Sequence, residues 1–220
     1  YYGPTHWTGI VSAEELAELF IGDLEDGVDA FDYTGPYVRR TPHRAGVIKV
    51  ATGGGELNDR DARLFEAAAI AHARTGAPIL THCEHGRGAL EQLAAFAELG
   101  VPADAVMLSH IDKVTDPTYH RDMAQSGAWL LYDQALRQAD REVTDTAVLL
   151  AQHREEATLG QVVLGTDGAR RDLWTAFGGS PGLAWLASGL PAQLRAHGFG
   201  DDEIATLFVR NPASALALRR

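Results

Sequence analysis

The residues able to do chemistry lie where short apolar runs end. His82 closes Ala77-Pro78-Ile79-Leu80-Thr81-His82, and His110 closes Val106-Met107-Leu108-Ser109-His110. Asp133 closes Ala128-Trp129-Leu130-Leu131-Tyr132-Asp133, and Asp167 closes Val162-Val163-Leu164-Gly165-Thr166-Asp167. A fifth run, Gly46-Val47-Ile48-Lys49-Val50, carries a lysine inside it. Imidazole and carboxylate groups together suit zinc, manganese, cobalt or iron, and the ligand types alone do not choose among these. Two histidines at equivalent run ends, each after a small hydroxylated residue, point to metal ligation over a structural role.

Lys49 has three readings. An ammonium among Val47, Ile48 and Val50 is costly to desolvate, so it pairs with a buried carboxylate, or loses its charge, or works as a neutral amine. Carbamylation by CO2 would make it an anionic oxygen ligand able to bridge two cations. A depressed pKa would suit a Schiff base with a carbonyl substrate. Asp167 reads either as an N-cap for the following turn or as a metal ligand that holds or deprotonates an attacking water. His85, just beyond the second run, is within reach of a substrate. His72 falls in a helical stretch and reads as surface.

These residues need a scaffold that brings them together. Near-continuous apolar runs of four to six residues fit parallel strands buried on both faces. Helical patterns separate them. Ser12 with Glu15 forms a capping box before Leu16, Leu19, Phe20 and Leu24. Asp59 to Thr75 carries Leu64, Ala67, Ala68 and Ala71 and stops at Gly76. Leu90 to Leu99 is stopped by Gly100, and 117–126, 143–154 and 182–197 continue the alternation, with 201–209 and 212–219 as a helical tail. Run starts lie roughly 23 to 33 residues apart, as βαβ units require. No Gly-x-Gly-x-x-Gly turn follows the first run, which disfavours a dinucleotide-binding Rossmann fold.

Counting the opening Tyr1-Tyr2 as a strand end gives six βα units, and a (β/α)8 barrel takes about 250 residues. The expectation is an α/β fold, the last six βα units of a (β/α)8 barrel, forming one domain over 1–220 with the first two units upstream. In a barrel, C-terminal strand ends converge on one mouth, where active sites lie.

Composition narrows the function classes. A formal net charge of −11 without a basic stripe argues against nucleic-acid binding. No apolar run approaches the ~18 residues of a membrane span. The single cysteine, Cys83, excludes an internal disulfide and suggests a reducing, cytoplasmic setting; by strand alternation it should face away from the lumen.

Lys49 in Ile-Lys-Val-Ala, His82 in Thr-His-Cys-Glu, His110 in Ser-His-Ile-Asp and Asp167 in Gly-Thr-Asp-Gly resemble the phosphotriesterase family of the amidohydrolase superfamily in order and spacing. The segments around Arg170, Trp174 and Gly178-Gly179-Ser180-Pro181-Gly182, and Asn211-Pro212-Ala213, extend the resemblance along essentially the whole chain. It implies two divalent metal ions, zinc foremost, bridged by a carboxylated Lys49. His82 and His110 would hold one metal and Asp167 the other, with a metal-bound hydroxide as nucleophile and Asp167 taking its proton. The second metal also needs a His-x-His pair that this chain lacks; His6 and His43 sit in the wrong context.

Lys113 stands where phosphotriesterases have an acidic proton shuttle, leaving Asp112 as a substitute. Asp133-Gln134 stands where related lactonases have Asp-Arg. A lactone, carboxylic ester or amide is therefore the expected substrate, ahead of a phosphotriester. Tyr2, Trp7, Tyr132, Arg170 and Trp174 are the expected substrate contacts from their strand-end positions. The expected partner is a small molecule, with a homodimer implied by the resemblance. Two rivals remain. One is a Schiff-base aldolase, since Val47 to Gly53 also resembles the lysine strand of deoxyribose-phosphate aldolases. The other is an inactive barrel serving as a binding protein.

Overall fold

The computed structural model describes residues 9–53 and 57–219. The expected strand end at Tyr1-Tyr2 lies outside them. Five strands are described: β1 (Ile48–Ala51), β2 (Ile79–His82), β3 (Val106–Ser109), β4 (Trp129–Tyr132) and β5 (Val162–Leu164). They form one parallel sheet in sequence order, β1-β2-β3-β4-β5. Helices intervene: α1 (Ala13–Glu25) before β1, α2 (Asp59–Thr75), α3 (Ala89–Glu98), α4 (Pro117–Gln125) and α5 (Asp145–Glu155) between successive strands, and α6 (Trp185–Ala196) after β5.

Local chemistry sets the helix ends. Ser12 accepts from the Glu15 amide while the Glu15 carboxylate accepts from the Ser12 amide at 2.8 Å, the reciprocal bonding expected from the sequence. Asn58 caps α2 in the same way with Asp61, and Gly76 ends it at φ 70°, a conformation a side chain would oppose. The tail is α7 (Asp201–Ala205), a π turn over Thr206–Arg210, and α8 (Asn211–Ala215). Pro212 has no N–H to donate and its ring crowds the preceding turn, which accounts for the wider bonding just before it.

Strand alternation sorts the side chains into two layers. Ile48, Val50, Ile79, Val106, Leu108, Leu130, Tyr132 and Val162 pack outward with the helices, among Phe65, Phe96, Leu149 and Leu150. Phe65 and Phe96 stack at 4.4 Å, and full burial of such a side chain stabilises the fold by about 1.5–3 kcal/mol. Cys83 joins this outer core, fully buried, as alternation requires. The opposite face carries Val47, Leu80, Met107, Trp129, Leu131 and Val163, with Ala215 of α8 against them. Asn211 donates to the carbonyls of Leu159 (2.8 Å) and Val162 (2.6 Å), fastening α8 beneath β5.

Two expectations are corrected here. His72 is buried, because its ring turns under the start of β2 and Nδ1–H donates to the Ala77 carbonyl at 2.8 Å. Tyr132 has no exposed surface, because it shares the helix-facing parity of Leu130 and Leu164. Its hydroxyl lies between His120 Nδ1 (2.6 Å) and His153 Nε2 (2.7 Å). His120 Nε2–H donates to the Val114 carbonyl, so the tyrosine must donate to His120 and accept from His153. Thr158 then donates to His153 Nδ1 at 2.7 Å. A phenol so enclosed cannot contact a substrate at the mouth.

Candidate active site

Four strand ends supply the site. His82 keeps the inward parity of Leu80, so simple alternation delivers it to the mouth. His110 does not, because it follows inward-facing Ser109 and would turn outward if the strand continued. Its backbone instead takes φ 68°, and the ring comes to lie edge-on to His82 with centroids 4.4 Å apart. Asp167 also has positive φ, 38°. Left-handed backbone at two non-glycine residues costs on the order of 1–3 kcal/mol each and concentrates at functional sites.

Asp133 binds both ends of the His110 residue. One carboxylate oxygen lies 2.8 Å and the other 2.9 Å from His110 Nδ1, and the carboxylate also accepts the His110 backbone N–H at 3.2 Å. Gln134 donates its amide to the same carboxylate. Asp167 Oδ2 lies 4.0 Å from His110 Nδ1 and is gripped by Arg137, which also donates to the Asp167 carbonyl at 3.0 Å. Arg137 comes from the 3-10 turn Ala135–Gln138 after β4, so one loop holds both acids. His82 Nε2–H donates to Glu84 at 2.8 Å. Burial draws the His82 pKa down, and the His82 contact draws that of Glu84 down.

Lys49 is exposed on the inner face of β1 and its amine donates to the Val50 carbonyl at 3.1 Å. Lost hydration around the amine pulls its pKa from 10.5 to about 8, with Cys83, Asp133 and Asp167 partly restoring it. A cleft of about 720 Å3 runs beside Lys49, lined by Thr52, Asn58, Arg60, Leu64 and Glu84 among others. Another, of about 710 Å3, opens at the opposite strand ends among Arg44, Arg74 and Arg219, away from these acids.

The remaining expected residues distribute as follows. Asp112 is sealed behind β4, 2% exposed, accepting from Gln134 N–H at 2.9 Å and the Thr146 hydroxyl at 2.8 Å. Burial and the neighbouring Asp133 charge push its pKa up. A carboxyl that solvent does not reach, and that braces the loop carrying Gln134, is misplaced for a shuttle to bulk water. Arg170 is exposed and paired with Asp172 of its own loop. Trp174 is 38% exposed, donates its indole N–H to the Gly168 carbonyl and stacks on Phe177. Tyr2 and Trp7 lie outside the described residues.

Among the described residues, His110, Asp133 and Asp167 offer ligand atoms that all lie within 4.8 Å of one another. Imidazole and carboxylate donors of this kind suit a divalent cation, with Asp133 already engaged on His110 Nδ1. Asp133 was visible at its strand end, but its hold on His110 was not. Arg137 and Glu84 come from turns, and nothing in the strand pattern marked them.

The profile of the phosphotriesterase family matches residues 1–216. The chain belongs to that family. A phospho-furanose lactonase of Mycoplasmopsis synoviae is 28% identical over 221 residues, 96% of this chain and 62% of that protein. The phosphotriesterase homology protein of Escherichia coli is 29% identical over 203 residues, 92% of this chain and 66% of its own length. Among solved structures, an amidohydrolase from Mycoplasma synoviae superposes with a TM-score of 0.90 at 26% identity, covering all of this chain and 64% of that one. A lactonase from Listeria monocytogenes gives 0.85 at 26% identity, covering 97% and 64%. The phosphotriesterase-family chain thus spans a little under two thirds of the first of these relatives. Its five parallel strands and their helices match the TIM-barrel architecture of these amidohydrolase neighbours.

Proposed function

We propose that this chain carries much of the active site of a metal-dependent hydrolase that opens a lactone, with carboxylic esters, amides and phosphoesters as related substrates. The observation that carries the reading is the convergence of His110, Asp133 and Asp167 from three successive strand ends. The names of relatives, a phospho-furanose lactonase and a lactonase, favour the lactone.

His82, His110 and Asp167 would hold divalent cations there, with Lys49, in carboxylated form, as a further ligand. Zinc leads, with manganese, cobalt and iron as alternatives. A cation bound there supplies Lewis acidity, polarising the scissile carbonyl or phosphoryl group and acidifying water. The side chains do the rest. Asp133 holds the His110 ring in one orientation, and Arg137 fixes one oxygen of Asp167. Asp167, with its side chain 20% exposed, takes the proton of the attacking water and passes it outward. Trp174 and Arg170 contribute the outer wall on the substrate side.

The depressed Lys49 pKa favours one other reading, a Schiff base with a carbonyl substrate. Borohydride trapping of substrate on Lys49 would support it, and inhibition by chelators opposes it. The hydrolase reading is tested by Asp167→Asn in cation-loaded protein against a panel of lactones, phosphorylated lactones, esters and amides. Loss of the proton acceptor should lower kcat by roughly 100-fold or more. A rate within a few-fold of the parent rejects the assigned role.

A further inference from the structure

Each of the two mouth histidines carries a carboxylate on one ring nitrogen. Asp133 takes His110 Nδ1, and Glu84 takes His82 Nε2 at 2.8 Å. An ionised carboxylate only accepts, so the proton sits on His82 Nε2 and the lone pair on Nδ1. For His110 the assignment is the reverse. Ligating histidines are commonly oriented by a carboxylate on the nitrogen opposite the metal, which fixes the ring and raises its basicity.

The turn bearing Glu84 is braced. Glu84–Gly86 is a single 3-10 turn in which His85 (φ 52°) and Gly86 (φ 75°) both take left-handed backbone. Gly86 N–H donates to Cys83 O at 2.9 Å, and Arg87 N–H to Glu84 O at 3.0 Å. The Tyr119 hydroxyl donates to the Gly86 carbonyl at 2.7 Å. A side chain at Gly86 would meet the His110 carbonyl at 2.9 Å, so the turn lies directly against the chain leaving β3. The second Glu84 oxygen lies 3.3 Å from His85 Nε2.

We propose that Glu84 is a positioning residue for His82: it holds the ring by Nε2–H and presents Nδ1 to the divalent cation of the strand-end site. The inference rests on the metal-dependent reading above. Asp133 performs the same service for His110 from a rigid strand end, while Glu84 does so from the turn after β2.

The test uses zinc and cobalt affinities, measured by competition with a chromogenic chelator, in the parent, Glu84→Ala and Glu84→Gln. The cation-free proteins are also examined by NMR for the hydrogen-bonded imidazole N–H of His82. Glu84→Ala should lose that N–H signal and weaken cation binding by roughly 10–100-fold. Glu84→Gln, whose side-chain carbonyl still accepts, should keep the signal and most of the affinity. Thermal melting of the cation-free proteins controls for folding; if Glu84→Ala does not fold, the Glu84→Gln comparison and the parent N–H signal decide. Affinity in a folded Glu84→Ala within about two-fold of the parent overturns the inference and leaves the hydrolase reading standing. Equal loss in Glu84→Gln overturns it too, because charge rather than a held ring would then be responsible. A parent that takes up neither metal removes the hydrolase reading, and this inference with it.

Discussion

Lys49 offers the sharpest chemical test, because the chain has only two lysines, Lys49 and Lys113. Carbamate formation consumes a neutral amine and CO2. At pH 7 an ordinary lysine of pKa near 10.5 is only ~0.03% neutral, whereas one near 8 is ~10% neutral, a gain of about 300-fold. Lys113 is exposed on the loop after β3 and lacks that enclosure. Protein held in 13C-bicarbonate with zinc at pH 8 should therefore give one carbamate carbonyl signal in the 13C spectrum. Lys49→Met should abolish it and Lys113→Met should leave it. The signal should weaken as pH falls below 8, where the ammonium dominates. Cation content, measured by elemental analysis, should drop in Lys49→Met alone. A spectrum without a carbamate signal, or one that survives in Lys49→Met, would refute the reasoning from local desolvation to modification.

Two further outcomes concern the helix side of the sheet. His153 is buried and its pKa is drawn from 6.5 to about 4, mainly by burial and then by His120. The native state thus binds fewer protons than the unfolded chain between these values. Stability should be intact above pH 6.5 and fall as pH drops towards 4, by up to about 3 kcal/mol, readable from urea midpoints across that window. A flat urea profile from pH 7 to 4.5 would contradict it. Tyr132→Phe should leave His120 Nδ1 and His153 Nε2 buried without the hydroxyl they share and cost about 3 kcal/mol in urea melts, with zinc affinity unchanged. A large loss of zinc affinity there would restore Tyr132 to the mouth.

Much of the scaffold was legible because short-range chemistry decides it. The Ser12–Glu15 box, the stop at Gly76 and the outward turn of Cys83 follow from hydrogen bonding and alternation alone. Tyr132 was misread by weighting its place near a strand end over its parity, which Leu130 already disclosed. His110 reaches the site for a reason no periodicity carries, since one left-handed residue reverses where its side chain points. Asp112 and His72 show the same limit. A polar residue beside a strand can face solvent or be sealed by a partner many residues away, as Thr146 seals Asp112. Arg137 and Glu84 were hidden because turn geometry is set by tertiary contacts.

The apolar layer of Met107, Trp129, Val163 and Ala215 works as the base of a cup. The Trp129 indole is tied to the Asp104 carbonyl at 2.9 Å, Arg219 N–H to the Gly76 carbonyl at 2.8 Å, and Asn211 to two carbonyls near β5. Residues 211–219 therefore pack against the strand starts, at the end opposite the candidate site. Engineering follows a simple division of labour: rim loops can be exchanged to vary what binds while the packed base is left as it is. Clipping the chain before Asn211 would instead take the bottom out, and no redesign of the rim would repair that.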